Sequence, residues 1–239
     1  MMLGPASSLK EAVEIIRTAP LENLRSVQWL ERELLPAMGF PAAAAPFLPE
    51  NLRPFCGLGL QSFQAPNQFA RYLRFLADQS ITSYLEIGTF QGGTFALTVE
   101  YLSRFCDVAD ALAIDVQLGP NVVSYAKMNS ATRLLEGTSR SPKALSAIQS
   151  RMWDLAFIDG DHGEDACWQD FLAVRETSRL VALHDTFNDI TPGVEAVWKR
   201  ITSVIPSRFV HEFHEQYISV AIEKQQRYFG IGVVEFVPV

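Results

Sequence analysis

The chain has 239 residues, of which 48 % are hydrophobic and 20 % are charged. A chain of this length and composition can bury a full core, which excludes intrinsic disorder as its main character and indicates one large domain or one domain with an extension. Its 20 Lys and Arg against 27 Asp and Glu give a net charge of -7. This balance argues against general nucleic-acid binding, which needs a basic surface.

The sequence also limits the cellular setting. No apolar run reaches the ~18 residues that a membrane-spanning helix needs, and the first residues lack the basic and apolar segments of a secretory signal. Cys56, Cys106 and Cys167 form neither a CxxC pair nor a disulfide framework. We therefore expect a cytoplasmic protein in a reducing environment, without a membrane partner.

The first 80 residues are predicted to be helical and irregular. Apolar residues recur at helical spacing over residues 21–34, and Pro36 is expected to end that helix. Residues 41–54, rich in Pro and Ala, are predicted to form an irregular connector. A further helix is predicted to begin at Pro66, because proline is favoured in a first helical turn.

After residue 80, short apolar runs alternate with helix-length segments. The runs cover residues 84–87, 111–114, 133–135, 155–158, 180–183, 208–213 and 229–236. This alternation predicts an α/β fold with a doubly wound, mostly parallel seven-stranded sheet, and the last two runs are expected to pair antiparallel at one edge. We assign residues 1–65 to an N-terminal helical and irregular extension and residues 66–239 to the α/β domain.

A glycine-rich turn follows the first predicted strand, with Glu86, Gly88, Thr89 and Gly92 in a row of seven residues. In an open α/β sheet, ligands bind at the carboxyl ends of the strands, where such a turn lies. Its spacing, Gly-x-x-x-Gly-Gly, matches neither the dinucleotide fingerprint nor a P-loop. The carboxylate of Glu86 would repel a pyrophosphate but suits an ammonium and a sulfonium, which is the charge pattern of S-adenosylmethionine.

Two further strand ends extend the predicted cofactor site. The second strand ends at Asp115, whose carboxylate is placed to accept hydrogen bonds from both ribose hydroxyls. The third is followed by Thr138 and Ser139, a polar turn placed to read the adenine edge.

These features resemble the class I S-adenosylmethionine-dependent methyltransferases. The glycine-loop pattern of that superfamily, acid-x-Gly-x-x-x-Gly, is matched by Glu86, Gly88 and Gly92, and its second-strand acid by Asp115. The resemblance covers about residues 80–239 and implies a Rossmann-like methyltransferase fold. It implies a cofactor site formed by Glu86, Gly88, Thr89, Gly92, Asp115, Thr138, Ser139 and Asp159.

The fourth and fifth predicted strands end in polar clusters. Asp159, Asp161 and His162 follow the fourth strand, and His184 and Asp185 follow the fifth. Because the carboxyl ends of parallel strands share one edge, these side chains are expected to converge beside the cofactor. The two segments resemble the small-molecule O-methyltransferase branch, in particular methyltransferase family 24.

This second resemblance implies a divalent metal held by Asp159, His184 and Asp185. His184 departs from the carboxylate usual at its position, and imidazole suits iron, zinc or nickel better than magnesium, so the metal and its identity stay open. The resemblance also places a base at His162, where the catechol branch has a lysine.

The chemistry favours a histidine as the base. A histidine with a pKa of about 6.5 can remove the proton of a hydroxyl as it attacks the sulfonium methyl. His162 is the first candidate and His184 the second, with Asp185 orienting one of them. Structural roles are the alternatives, because His162 and Asp161 also suit a helix cap and His184 a buried hydrogen bond.

The sequence thus predicts an S-adenosylmethionine-dependent methyltransferase that acts on a hydroxyl of a small molecule of sugar or natural-product type. Two alternatives are a metal-dependent hydrolase using the Asp and His cluster, and a non-catalytic S-adenosylmethionine-binding protein. No nucleic-acid partner is expected, and a homo-oligomer through the N-terminal extension is left open.

Overall fold

The computed structural model describes residues 3–205 and 207–236. In that part of the chain one sheet contains the strands β1 (Ser83–Ile87), β2 (Asp110–Asp115), β3 (Thr132–Glu136), β4 (Trp153–Ile158), β5 (Ser178–His184), β6 (Phe209–Phe213) and β7 (Ile231–Glu235). Their order is β3-β2-β1-β4-β5-β7-β6. The first five strands are parallel, and β7 is antiparallel to β5 and to β6. The predicted fold class and the antiparallel pair at one edge are confirmed.

Helices surround this sheet. Five precede it: α1 (Leu9–Thr18), α2 (Leu21–Leu24), α3 (Val27–Trp29), α4 (Leu35–Met38) and α5 (Pro66–Leu76). Five follow β1 to β5 in turn, α6 (Gly93–Leu102), α7 (Pro120–Ala126), α8 (Pro142–Gln149), α9 (Glu164–Val174) and α10 (Pro192–Val204), and α11 (Ile218–Lys224) joins β6 to β7. No helix within the described ranges is both long and apolar enough to cross a lipid bilayer.

The sheet has a hydrophobic cluster on each face. Successive side chains of β1 alternate, so that Tyr84 lies in one cluster and Leu85 in the other. Helices α5 to α7 contribute to the first cluster, and α8 to α10 to the second. Strands buried on both faces have nearly continuous apolar sequences, which explains why the apolar runs revealed them.

The N-terminal extension departs from the predicted single helix. α2 and α3 are short, and a π-helical stretch over Leu30–Leu34 continues into α4. The prediction that Pro36 ends the helix is wrong, because Pro36 is the second residue of α4. The wider π turn before it accommodates a ring that lacks an N–H. Residues 41–54 hold most of two 3-10 helices, Ala42–Phe47 and Glu50–Phe55.

The extension packs against the α/β domain itself. Leu34 and Met38 belong to the same hydrophobic cluster as Phe95 of α6. Arg17 of α1 donates two hydrogen bonds to Glu100 of α6, at 2.8 and 2.7 Å. The extension therefore completes the core on one face of the sheet, and the boundary at residue 65 stays a prediction.

Candidate active site

A cavity of about 850 Å³ opens at the carboxyl ends of the parallel strands. It extends from the turn after β3, across the ends of β2 and β1, to the ends of β4 and β5. The strand order reverses between β1 and β4, which is where ligands bind in open α/β sheets. The predicted site residues that line the cavity are Gly88, Asp115, Thr138, Ser139, Asp159, His162, His184 and Asp185.

Three predicted cofactor residues lie behind the cavity wall. Glu86 is 1 % exposed and accepts a hydrogen bond from the hydroxyl of Tyr84. Burial raises the pKa of Glu86 well above its usual range. Glu86, Thr89 and Gly92 are absent from the residues that line the described cavity, so their contact with the cofactor stays a prediction.

The glycine loop is pressed against the end of β4. Gly88 and Gly92 have φ angles of +86° and +87°, which side-chain-bearing residues rarely adopt. A Cβ atom on Gly88 would lie 2.2 Å from the carbonyl oxygen of Asp159, and one on Gly92 would lie 2.3 Å from the backbone nitrogen of Val122. Glycine at both positions therefore follows from backbone conformation and from close packing.

The carboxylate of Asp115 holds this loop in place. Its Oδ2 accepts hydrogen bonds from the backbone N–H groups of Thr89 and Phe90, at 2.6 and 2.9 Å. Its Oδ1 accepts one from the backbone of Gln117, at 3.0 Å, and retains a second acceptor position. Asp115 therefore positions the loop, while its contact with a ribose stays a prediction.

The turn after β3 contacts Asp170, a residue that the sequence analysis did not identify. The hydroxyl of Ser139 donates a hydrogen bond to Oδ1 of Asp170, at 2.5 Å. Asp170 lies on α9, is 3 % exposed and lines the same cavity. The sequence signal that could have identified Asp170 is its position on the apolar face of α9, three residues after Cys167 and one before Phe171.

The polar ends of β4 and β5 form one cluster. His184 Nδ1 lies 3.0 Å from Asp159 Oδ1 and 3.4 Å from Asp185 Oδ1. The His162 ring lies 3.5 Å from Asp159 Oδ1 and 3.4 Å from Asp185 Oδ2. Gln64 of the extension donates a hydrogen bond to Asp159 Oδ2, at 3.1 Å. The structure thus brings four predicted residues together.

Opposite charges stabilise one another in this cluster. Burial raises the pKa of Asp159, but the charge of His184 and hydrogen bonds from both histidines outweigh it and hold the pKa at about 2. Burial lowers the pKa of His184, but Asp159 and Asp185 raise it to about 9. Asp159 and His184 are therefore an ion pair at neutral pH.

The predicted metal ligands bind one another. Within residues 3–205 and 207–236, no group of three or more His, Cys, Asp and Glu side chains is arranged to hold a metal ion. Metal binding needs a neutral imidazole, whereas His184 is protonated between Asp159 and Asp185. The donor set as placed does not fit a divalent metal, so the metal stays a prediction from the resemblance.

The loop after β5 fixes the orientation of Asp185. Asp185 has a φ angle of +63°, a conformation that costs a non-glycine residue about 1–3 kcal/mol. Asn188 donates a hydrogen bond to Asp185 Oδ1 at 2.9 Å, and Arg227 binds the neighbouring Asp189 at 2.5 to 2.8 Å. These contacts hold the Asp185 carboxylate towards both histidines.

An aromatic wall, formed by Phe47, Phe63, Phe90 and Phe229, lines the cavity beside this cluster. The ring of Phe229 lies 5.3 Å from that of Phe47 and 5.6 Å from that of Phe63. The ring of His184 lies 5.4 Å from that of Phe229. This part of the cavity therefore combines a charged cluster with an apolar surface.

Comparisons with known proteins agree with this fold. Residues 85–186 match a family model described as a methyltransferase domain, Methyltransf_24. The matched segment contains the glycine loop, Asp115 and both polar clusters. No curated protein matches the sequence.

Two solved structures share the fold. The O-methyltransferase from Bacillus cereus in complex with SAH has a TM-score of 0.50 at 16 % identity, over 93 % of this chain and 94 % of that one. The O-methyltransferase TomG from Streptomyces achromogenes, involved in tomaymycin synthesis and solved with SAM, has a TM-score of 0.52 at 15 % identity, over 74 % and 82 %. The chain has the fold of the class I methyltransferases, and its residues 85–186 match the methyltransferase domain of that family model. The resemblance noted from the sequence is confirmed.

Proposed function

We propose that this methyltransferase transfers the methyl group of S-adenosylmethionine to a hydroxyl group of a small molecule. The observation that carries the proposal is one continuous cavity, which joins Asp115 and the Thr138–Ser139 turn to the cluster around Asp159. The cofactor and the acceptor would thus meet at the ends of β1 and β4. Solved structures of similar fold support the cofactor, because they contain SAM or SAH.

The protein contributes orientation and proton removal. The cofactor supplies a methyl group that the acceptor oxygen takes by in-line displacement. Asp115 and Ser139 hold the ribose and adenine ends, and the Gly88 turn allows close approach to the backbone. Asp159, ionised at neutral pH, attracts the ammonium group at the methionine end.

His162 is the base that accepts the hydroxyl proton. His184 is unsuited to this role, because a pKa of about 9 leaves it already protonated near neutrality. The hydrogen bond with Asp159 and the charge of Asp185 raise the pKa of His162 as well, but the His162 side chain is 40 % exposed and lines the cavity, so it can exchange its proton with solvent. Asp185, 3.4 Å from His162 Nδ1, orients the ring.

The size and chemistry of the cavity favour a small acceptor. A volume of about 850 Å³ lies within the range of small-molecule sites, roughly 300–1,000 Å³. The aromatic wall beside His184 favours an acceptor with an apolar face. A net charge of -7 disfavours nucleic acid, and the three free cysteines support a cytoplasmic setting.

Titration calorimetry with the full chain tests the cofactor. We expect micromolar binding of S-adenosylmethionine and S-adenosylhomocysteine, no binding of NAD, and no effect of EDTA. Asp115→Ala is expected to lose both sulfur ligands. If folded wild-type protein binds neither, the cofactor assignment is wrong. Binding that needs metal would restore the metal prediction.

A screen of hydroxyl-bearing compounds for methyl transfer then tests the chemistry. With any acceptor found, His162→Ala should bind S-adenosylhomocysteine as the wild type does and lose turnover by about 10²–10⁴-fold, the usual contribution of a general base. Unchanged turnover would exclude His162 as the base. Binding without turnover on any acceptor would favour the non-catalytic alternative.

A further inference from the structure

The strand β6 forms one edge of the sheet. It pairs with β7 on one side, and no strand within residues 3–205 and 207–236 pairs with its other side. Such an edge presents unpaired backbone N–H and C=O groups, which are a template for pairing with another chain. Charges of one sign along an edge keep two copies apart, so the side chains of β6 decide whether this edge repels or attracts a second strand.

The exposed apolar residues of β6 lie on both faces of the sheet. Phe209 is 50 % exposed and Val210 is 42 % exposed. Successive strand residues point to opposite faces, so Phe209 shares the face of His211, which contacts α5, and Val210 shares the face of Glu212, which contacts α10. A helix covers only one face of a sheet, whereas an added strand covers both and also pairs with the free backbone edge.

The charged residues of this edge are complementary to a second copy of the same strand. Arg208, directly before β6, has a side chain that is 60 % exposed, and its ion pair with Glu235 spans 3.9 Å. Glu212 lies four positions later on the same face, exposed to solvent, and accepts a hydrogen bond from Trp198 at 2.7 Å. Val210 lies midway between these opposite charges. The edge is therefore self-complementary about its own centre.

We propose that two copies of this chain form a dimer in which their β6 strands pair antiparallel about Val210. In this register Val210 lies opposite Val210 of the second copy, Arg208 lies opposite Glu212, and Phe209 lies opposite His211. Pairs of opposite charge and aromatic pairs both stabilise an antiparallel ladder. The two-fold symmetry forms each of the unlike pairs twice.

Other symmetric registers match less well. A centre at His211 would place the two His211 rings opposite each other and Val210 opposite Glu212, and it would lose both ion pairs. The surface lies outside the N-terminal extension, through which the sequence analysis left a homo-oligomer open. The inference is also independent of the proposed function, because it rests on the outer edge of β6 alone.

Sedimentation velocity of the full chain tests whether the dimer forms. One short strand from each copy makes a small interface, so the dimer should be weak and depend on concentration. The mass should rise from 26.7 kDa towards twice that value between low micromolar and submillimolar protein. A wild type that keeps the mass of one chain throughout, or that forms species larger than a dimer, would overturn the proposal.

Charge reversal tests the register. Arg208→Glu produces a chain with two carboxylates at this edge, and Glu212→Arg produces one with two cations. Each variant alone should dimerise at least about tenfold more weakly, because like charges then lie opposite each other. An equal mixture should form a heterodimer within a few-fold of the wild-type affinity, because every facing charge pair is again of opposite sign. A mixture that stays as weak as its components would exclude this register.

A matched pair of arginine substitutions tests the centre of the interface without changing Glu212 or its hydrogen bond. Val210 and Ile222 are 42 % and 71 % exposed, but Ile222 lies on α11. Val210→Arg should stay monomeric over the same concentrations, because two cations would lie opposite each other, while Ile222→Arg should dimerise as the wild type does. Circular dichroism confirms that both are folded. Dimerisation of both variants, or its equal loss in both, would show that β6 is not the contact.

Discussion

Aspartates lie at both ends of the central strands, and their surroundings differ between the two ends. β2 begins with Asp110 and ends with Asp115, and β4 has Asp154 as its second residue and is followed by Asp159. The first member of each pair lies at the amino edge of the sheet and the second at the carboxyl edge, beside the cavity.

At the amino edge the aspartates are fully engaged by permanent partners. Arg133 donates two hydrogen bonds to Asp110, both at 2.8 Å, and Arg151 donates one at 2.9 Å. Asp154 accepts hydrogen bonds from the backbone and hydroxyl groups of Thr82 and Ser83. Burial opposes the ionised form at both residues, yet these contacts hold each pKa below its usual value.

At the carboxyl edge the aspartates line the cavity. Asp115 is also held by backbone N–H groups, those of Thr89, Phe90 and Gln117, but one of its oxygens retains an acceptor position. Asp159 faces two histidines and a glutamine amide, and Asp170 has the Ser139 hydroxyl. These are neutral or titratable groups, and the cavity beside them admits a ligand. Aspartates at the amino edge are therefore saturated by fixed donors and stabilise the fold, whereas those at the carboxyl edge line the cavity in which we propose that the ligand binds.

The largest expected effect comes from a substitution that forces the glycine loop away from the end of β4. Gly88→Ala would combine a positive φ angle with a 2.2 Å approach to the backbone of Asp159. We expect a loss of about 4 kcal/mol in unfolding free energy and loss of S-adenosylhomocysteine binding, measured by urea unfolding and calorimetry.

The control for this substitution is Gly57→Ala. Gly57 has a φ angle of +79°, similar to that of Gly88, but no atom within 4 Å of the added Cβ. Its cost should be only that of the backbone conformation, about 1–2 kcal/mol. An equal loss in both variants would show that the contact with β4 contributes nothing.

A second pair of variants compares the two edges directly. Asp159→Asn should weaken S-adenosylhomocysteine binding by about tenfold or more, because a charge-assisted contact to the ammonium is lost. Asp110→Asn should leave that affinity within twofold and lower the unfolding free energy by about 1 kcal/mol, as expected for a partly exposed ion pair. If Asp110→Asn weakened binding as much as Asp159→Asn, the division of roles between the edges would be wrong.

Much of this division could be predicted from the sequence. The parallel strands are buried on both faces, so they appear as apolar runs, and their ends locate Asp115, Asp159 and His184 within a residue or two. Because these strands are parallel, sequence order alone places such residues on one edge of the sheet. The glycine at position 88 could be predicted as well, because the positive φ angle there is a requirement of the local backbone.

The missed features depend on contacts between distant segments. Asp170 lies on the apolar face of a helix, where a single acid carries no periodic signal, and its partner Ser139 is 31 positions away. Phe47 and Phe63 reach the cavity from the extension, which has no strand pattern to orient it. Pro36 was misjudged because a π turn is set by packing rather than by composition.

The smallest effect concerns acid stability at the amino edge. The hydrogen bonds from Arg133 and Arg151 hold the folded-state pKa of Asp110 below its usual 3.8, so the folded protein binds this proton less tightly than the unfolded chain does. The contribution is therefore fully present above about pH 4 and is lost as pH falls through the folded-state pKa. Because the pair is partly exposed, it amounts to at most about 1 kcal/mol.

Urea unfolding of the wild type and Asp110→Asn at pH 7 and in mild acid measures this contribution. The wild type should be more stable at pH 7, and the difference should shrink below pH 3.8, because an asparagine does not titrate. Asp107→Asn, an exposed position in the turn before β2, should match the wild type at both pH values. A difference between the wild type and Asp110→Asn that does not change with pH would mean that Asp110 acts through packing rather than through its charge, and the contrast between the two edges would then rest on geometry alone.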